Sequence, residues 1–227
     1  MQFLTSPLLE SLPHVYHGFG LRSKELLEGV VFPKQVHGKR VAVLEGTVSP
    51  AWHEEADAVI VTQKGLPIGV RTADCLPILL ADDVGRAVAV VHAGWRGTAL
   101  GIVPAAIRRL GEVTHLDPDR FYMAVGPGIG PCCMEVDIPV KDFFLENGQK
   151  EVWNLFAKAG RPDHWYLDLQ AMVKYQAIKE GVKEERLDVL IYCTSCEKDY
   201  FYSYRREGLA AGRQANYIVL KAEETER

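Results

Sequence analysis

Between residues 40 and 97 five short apolar segments follow one another closely: "VAVLEG", "ADAVIVT", "LPIGVRT", "LPILLAD" and "RAVAVVHAG", punctuated by Gly, Pro and Asp. Each is too short for an ordinary helix, and each is rich in β-branched residues. Their apolarity is nearly continuous rather than alternating. That predicts strands of a sheet covered on both faces, with neither face open to water.

Beyond this block the pattern changes. From Thr98, read as a helix N-cap, Leu100, Val103, Ile107 and Leu110 recur at helical spacing, and Pro104 requires the helix to start late or to kink. Residues 121–136, "FYMAVGPGIGPCCMEV", supply another strand, a Gly/Pro turn and a short apolar segment. Asp137 can cap a helix with Pro139 in its first turn and Val140, Phe143 and Phe144 on one face. Asp168 likewise precedes Leu169, Met172, Val173 and Ala177 in a helix ending near Gly181. Residues 187–194, 200–207 and 215–221 read as three more strands, and the charged tail "AEETER" as frayed. Strands grouped on both sides of the helices predict a mixed α+β layered fold rather than a regular βαβ alternation. No repeat, low-complexity tract or linker marks a boundary, so residues 1–227 read as a single domain.

Composition narrows the partners. Apolar residues are 48% and charged residues 25% of the chain, and no apolar run approaches the roughly 20 residues that a spanning helix needs. The net charge of -4, with scattered Lys and Arg, offers no footprint for duplex nucleic acid. The N-terminal residues lack a basic region, an apolar stretch and a small-residue cleavage site. A soluble, cytoplasmic, monomeric protein acting on a small molecule is the expectation. Five cysteines, an odd and sparse set, are unlike a secreted disulfide framework.

Three residues with metal-binding atoms sit at the ends of predicted strands. His92 closes an apolar strand and is followed by Gly94 and Gly97; His37 lies in "FPKQVHGKR"; Cys75 lies in "RTADCLP". Two imidazoles and a thiolate suit zinc, and three protein ligands leave a fourth position for water. The intervals of 38 and 17 residues form no local motif, so buried His and Cys that merely fill the core remain an alternative. Arg71 and Arg96 flank this set and could hold an anionic substrate group through paired hydrogen bonds, or could be ordinary surface charges. "GPGIGP", residues 126–131, could present N–H groups to a phosphate or simply form a turn. The pair in "CTSC", residues 193–196, lacks a second C-x-x-C, which favours a non-metal role, and the adjacent Cys132 and Cys133 read as packing. "SYRREG" offers Ser203 and Arg205. His14, His53, His115 and His164 read as surface residues.

"QVHG", "ADAVIVT", "RTADCLPILL", "VVHAGWRGT", "GPGIGPCCMEV" and "CTSCEKDYFYSYRREGLAAGRQANYIVL" follow the order and approximate spacing of the YfiH-type family. The chain resembles that family over nearly its whole length. The family was formerly labelled a polyphenol oxidase or laccase domain and is now described as purine nucleoside phosphorylases. The resemblance implies a layered α/β/β/α sandwich similar to the catalytic domain of a deamidating toxin. It also implies a zinc set at His37, Cys75 and His92, with copper as an adventitious substitute. The implied activity is phosphorolysis of adenosine, inosine and methylthioadenosine, with adenosine deamination beside it; a bacterial relative is linked to editing of peptidoglycan precursors. Asp74 and Arg96 are the catalytic candidates, and Arg22, Gln35, Arg71, Gly128, Ser203 and Arg205 the substrate-binding ones. "GFGLRSKELLEG" keeps Arg22 but lacks the Gly-Gly-x-Ser and Asn-Leu pieces usual in the family, which puts contacts made there in doubt.

Phosphorolysis requires phosphate held near C1′ of the ribose and stabilisation of charge growing on the purine. Deamination would instead use a water activated by the ion, attacking C6 of adenine. A multicopper oxidase needs about ten His ligands with His-x-His pairs, whereas this chain has seven His and no such pair. Two further readings stand: a Cys-His hydrolase with Cys75 as nucleophile and His92 as base, and a binding module whose zinc is closed by Cys193 or Cys196.

Overall fold

A computed structural model describes residues 3–23, 28–45, 48–49 and 52–222. Residues 24–27 of the segment that departs from the family pattern, and the tail from 223 onward, lie outside the described residues.

Six strands form the central sheet: β3 (Val41–Leu44), β4 (Ala58–Val61), β6 (Leu76–Asp82), β7 (Val88–Ala93), β8 (Phe121–Val125) and β12 (Leu187–Val189), in the order β12-β8-β6-β7-β4-β3. The inner pairs are antiparallel, and the edge pairs β3-β4 and β12-β8 are parallel. A second, antiparallel sheet has the order β1-β2-β13-β5, from β1 (Phe3–Leu4), β2 (Val15–Gly20), β5 (Ile68–Thr72) and β13 (Gln214–Leu220). A small sheet of β9 (Glu135–Asp137), β10 (Ala157–Ala159) and β11 (His164–Leu167) completes the set.

Every residue of β4, β6 and β7 is buried. The pleat explains why: Ile60, Ile78, Leu80, Ala89 and Val91 point to the helices, while Val59, Val61, Leu79, Val88 and Val90 point to the second sheet and meet Ile68, Val70 and Ile218 there. Two apolar layers share one sheet, so its strands cannot alternate in polarity. Burying each such Val, Leu or Ile contributes roughly 1.5–3 kcal/mol. That surplus is what lets the sheet carry a few buried polar groups.

The helices are α1 (Pro7–Glu10), α2 (Trp95–Leu100), α3 (Ile102–Thr114), α4 (Ile138–Glu146), α5 (Lys150–Phe156), α6 (Leu169–Lys179) and α7 (Tyr204–Glu207). The helix expected from Thr98 is two. Gly101, at φ 81°, ends α2 and opens α3, so Pro104 falls in the first turn of α3, where its missing N–H breaks no intrahelical bond. Thr98 is therefore buried inside α2, not a cap. Asp137 does precede α4, and Asp168 caps α6 by accepting from the Ala171 N–H at 3.0 Å.

Two predicted strands fall short. Residues 187–194 form a continuous ladder only as far as Val189, because their partner β8 ends at Val125, ahead of Gly126 and Pro127; beyond that gap Cys193 meets Gly128 in one isolated parallel bridge. Residues 200–207 form a loop and then α7: Ser203 accepts from the Arg206 N–H at 3.2 Å, and Phe201 is buried against Tyr192. Side-chain bonds and one buried ring outweigh the β propensity of that aromatic run. Among the described residues no helix is long and apolar enough to cross a membrane.

Candidate functional site: a His-Cys-His cluster under an arginine rim

Strand register assembles the site. Ala58 of β4 stands opposite Val91 of β7, which brings Asp57, just before β4, beside His92. The Asp57 carbonyl accepts from the His92 N–H at 2.7 Å, and its carboxylate accepts from His92 Nδ1 at 2.8 Å. The same carboxylate accepts from the His37 N–H at 2.9 Å and the Gly38 N–H at 2.7 Å. One fully buried Asp thus ties the His92 strand to the loop that carries His37, which has a φ of 59°. Positive φ is strained for a residue with a side chain, and those amide bonds hold it there.

Cys75 lies in the short crossing from β5 to β6, after Asp74 at φ 87°. Leu76 pairs with Ala93, so Cys75 faces Gly94. A Cβ at Gly94 would come within 2.8 Å of Cys75 Sγ and 3.3 Å of His37 Cδ2. Only glycine leaves room for the sulfur and the ring. One donor atom from each of His37, Cys75 and His92 lies within 4.8 Å of the other two, and the imidazole rings meet edge-on at 4.8 Å between centroids.

The donor set fits a borderline-soft divalent ion. With Nδ1–H committed to Asp57, His92 presents Nε2 as its ligand atom, the usual device by which a carboxylate sets a ligating tautomer. Burial pushes the Cys75 thiol up, but the His92 imidazole and a hydrogen bond from His37 outweigh it and bring the thiol down to about 6. Burial likewise depresses His92, yet the Cys75 sulfur and Asp57 raise it to about 9. Burial raises Asp57 as well, and the hydrogen bonds from His92 and Gly38 leave it below the usual carboxylate range. Without metal the two shifts, each caused largely by the other group, favour a thiolate–imidazolium pair over the neutral one near neutral pH.

The cluster forms one wall of a cavity of about 800 Å³. Arg71, Arg96, Arg205 and Arg213 line it with Lys34, against a single carboxylate from Asp74. Trp95, Tyr204, Ile129, Met134 and Leu169 supply apolar and aromatic surface. Arg96 lies over the Trp95 ring at 4.9 Å, and Arg71 over Phe32 at 4.1 Å.

Of the candidates named from sequence, Gln35, Arg71, Asp74, Arg96 and Arg205 line this cavity with the three ligands. Gln35 grips the Arg71 backbone through both its amide atoms, at 2.8 Å each. The Asp74 carboxylate accepts from Thr194 Oγ1 and from the Arg205 N–H, both at 2.6 Å. Arg22, Gly128 and Ser203 are not on the cavity wall. Arg22 is paired with Glu207 at 2.7 Å, in a separate cluster with Lys198, Asp199 and Arg206. Gly128 backs onto the Asp74 carbonyl, which a Cβ there would approach to 2.9 Å. Ser203 is buried as the cap of α7. His53, read as a surface residue, is exposed yet lines the cavity. Sequence reasoning missed Asp57, Trp95, Tyr204 and Arg213; only Asp57 left a signal, an acidic residue at the mouth of an otherwise apolar strand.

Residues 19–221 match the family model described as multi-copper polyphenol oxidoreductase laccase. The chain belongs to the YfiH-type family. As a member of it, the chain is 32% identical over 202 residues to a protein named adenosine deaminase RL5, from an unknown prokaryotic organism, covering 86% of this chain and 76% of that protein. It is 36% identical over 194 residues to a purine nucleoside phosphorylase of Streptomyces coelicolor, covering 84% and 75% respectively. The crystal structure of YfiH from Bacillus licheniformis superposes with a TM-score of 0.78 at 28% identity, over 87% of this chain and 76% of that one. Despite the copper in the family description, the described residues of this YfiH-type chain hold only one His-containing ligand cluster.

Proposed function

We propose that this protein is a zinc-dependent purine nucleoside phosphorylase acting at the His37–Cys75–His92 cluster. One observation carries the reading: a three-donor ligand set opens onto a cavity rimmed by four arginines and a lysine. The relatives named for nucleoside chemistry support it.

The volume suits a nucleoside and an inorganic anion together. Arg96 and Arg213 provide forked charges for phosphate, while Trp95 and Tyr204 offer flat surfaces for a purine; Lys34 is already paired with Glu55, and the Arg205 guanidinium is held by the Cys133 and Glu135 carbonyls. When bound, zinc supplies Lewis acidity toward charge developing on the substrate. Asp57 orients His92 and fixes the His37 loop, and we assign Asp74 a positioning role, since its two oxygens hold Thr194 and Arg205.

The test is chromatography of adenosine incubated with the zinc-loaded protein, with and without phosphate, beside His92→Ala. Adenine that appears only with phosphate and only with His92 supports the reading. Inosine in place of adenine would instead favour the activity for which the RL5 relative is named. Absence of both products refutes the nucleoside assignment.

The Asp57–His92–Cys75 alignment also resembles the orienter, base and nucleophile of a cysteine hydrolase. Such a pair has no use for a second imidazole held at positive φ, which favours the ion. Stoichiometric alkylation of Cys75 with zinc still bound would reverse that choice.

A further inference from the structure

The two cysteine pairs left unassigned by the sequence meet in space. Cys132 and Cys133 follow the Gly/Pro turn after β8, and Cys193 and Cys196 lie in the loop after β12. Their four sulfurs lie within 4.8 Å of one another, all as free thiols. We propose that Cys132, Cys133, Cys193 and Cys196 form a tetrathiolate site for a soft tetrahedral cation, zinc foremost, distinct from the His-Cys-His cluster.

The spacing matches. At a Zn–S distance of about 2.3 Å a regular tetrahedron places sulfurs about 3.8 Å apart. Cys196 Sγ is 3.6 Å from Cys132 Sγ and 3.5 Å from Cys133 Sγ. These separations are far longer than the roughly 2.05 Å of a disulfide.

The backbone is shaped around the sulfurs. The Gly130 N–H donates to Cys193 Sγ at 3.3 Å, a bond that a thiolate accepts better than a thiol. A Cβ on Gly130 would come within 3.1 Å of Cys193 Cβ and 3.5 Å of two sulfurs, so glycine permits this approach. The chain turns at each pair: Cys133 N–H donates to the Gly130 carbonyl at 3.0 Å, and Cys196 N–H to the Cys193 carbonyl at 3.1 Å.

Charge is provided for as well. Four thiolates around a divalent ion leave two negative charges, and each thiol gives up its proton on binding. Arg205 donates to the Cys133 and Glu135 carbonyls at 3.0 and 2.8 Å. Arg206 donates to the Thr194 and Ser195 carbonyls at 2.8 and 2.7 Å, and is shared with Glu207. Both guanidiniums thus lie against the ligand loops. With Cys132 and Cys196 exposed, an ion can enter from solvent.

The role is structural. The Cys193 loop carries Thr194, which holds Asp74 at the candidate site, and the Gly130 turn carries Ile129, whose N–H donates to the Asp74 carbonyl at 2.8 Å. An ion joining the two loops would fix Asp74 from both sides.

The test is metal content of the full chain purified under reducing conditions and loaded with zinc, beside Cys75→Ser/His92→Ala and Cys132→Ser/Cys196→Ser. Two equivalents are expected in the wild type and one in each double variant. Zinc X-ray absorption of Cys75→Ser/His92→Ala should show sulfur ligands alone, at about 2.3 Å. Should the cysteine variant fail to fold, this spectrum decides by itself. Chelation should also raise hydrogen exchange in residues 190–200. No retained zinc in Cys75→Ser/His92→Ala, nitrogen or oxygen ligation of what remains, or a disulfide within the four cysteines of the reduced protein overturns the proposal.

Discussion

Asp57 is the residue on which the candidate site most depends, and its replacement can be worked through. Its carboxylate serves four donors: the Gly38 N–H, His92 Nδ1 and the His37 N–H at 2.7–2.9 Å, and the Val36 N–H at 3.3 Å. Asp57→Ala strips all four. A buried donor left alone costs about 1–3 kcal/mol, and the three loop amides can partly recover water, so a loss of about 3–5 kcal/mol follows. At about 2–4 °C per kcal/mol for a domain of this size, the melting temperature should fall by roughly 6–20 °C. Asp57→Asn keeps the shape but turns an N–H donor toward other donors and no longer sets the His92 tautomer. Zinc affinity should then drop about 10–100-fold, or roughly 1.4–2.7 kcal/mol, measured by competition with a chromophoric chelator. The pH sign follows from the lowered pKa of Asp57. Its contribution is present above the ordinary carboxylate pKa and is lost as pH falls through the depressed folded value, so the acid limb of stability should flatten in Asp57→Asn. If Asp57→Asn binds zinc as tightly as the wild type and melts at the same temperature, the carboxylate is not what positions the ligands.

Gly94→Ala should reduce zinc affinity about tenfold or more, because its Cβ would meet Cys75 Sγ at 2.8 Å and push the sulfur out of place; equilibrium dialysis measures this, and unchanged binding would show that the cluster can shift. In the metal-free protein Cys75 should react with iodoacetamide along a curve centred near about 6, and the reference for an ordinary thiol is about 8.5. Stability of the metal-free form carries opposing signs: the Cys75 contribution is lost as pH falls through about 6, and that of His92 is lost as pH rises through about 9. Between about 6.5 and 8.5 folded and unfolded states hold the same single proton on this pair, so thermal denaturation should show no slope from it there. Asp168→Ala should cost about 1 kcal/mol through the lost cap of α6 and leave zinc binding intact, as calorimetry of the melting transition and dialysis would report.

The strands of the central sheet were legible because their sequence is under one constraint: burial on both faces leaves only apolar residues, and Gly, Pro and Asp mark their ends. The three small strands around the third sheet were not, since three or four residues carry too little periodicity to read. Residues 200–207 misled for the opposite reason, their aromatic pattern being overruled by contacts made far away in sequence.

The chain alone therefore determined the sheet-rich layered fold and placed Cys75 and His92 at strand ends, where donor atoms can leave an apolar core; His37, expected at a strand end as well, lies instead in the loop ahead of β3. Which strand ends converge is a matter of register and crossing, and no spacing in the sequence encodes it. Tertiary structure decided that Asp57 lies beside His92, because β4 pairs with β7 in one register. It separated Arg22 and Ser203 from the cavity and gathered Arg96 and, from a segment more than 100 residues further along the chain, Arg205 and Arg213 around it. It also brought an adjacent pair of cysteines and a C-x-x-C from 60 residues away into one cluster. Propensity and polarity are local and can be read along the chain; convergence of side chains is a property of packing.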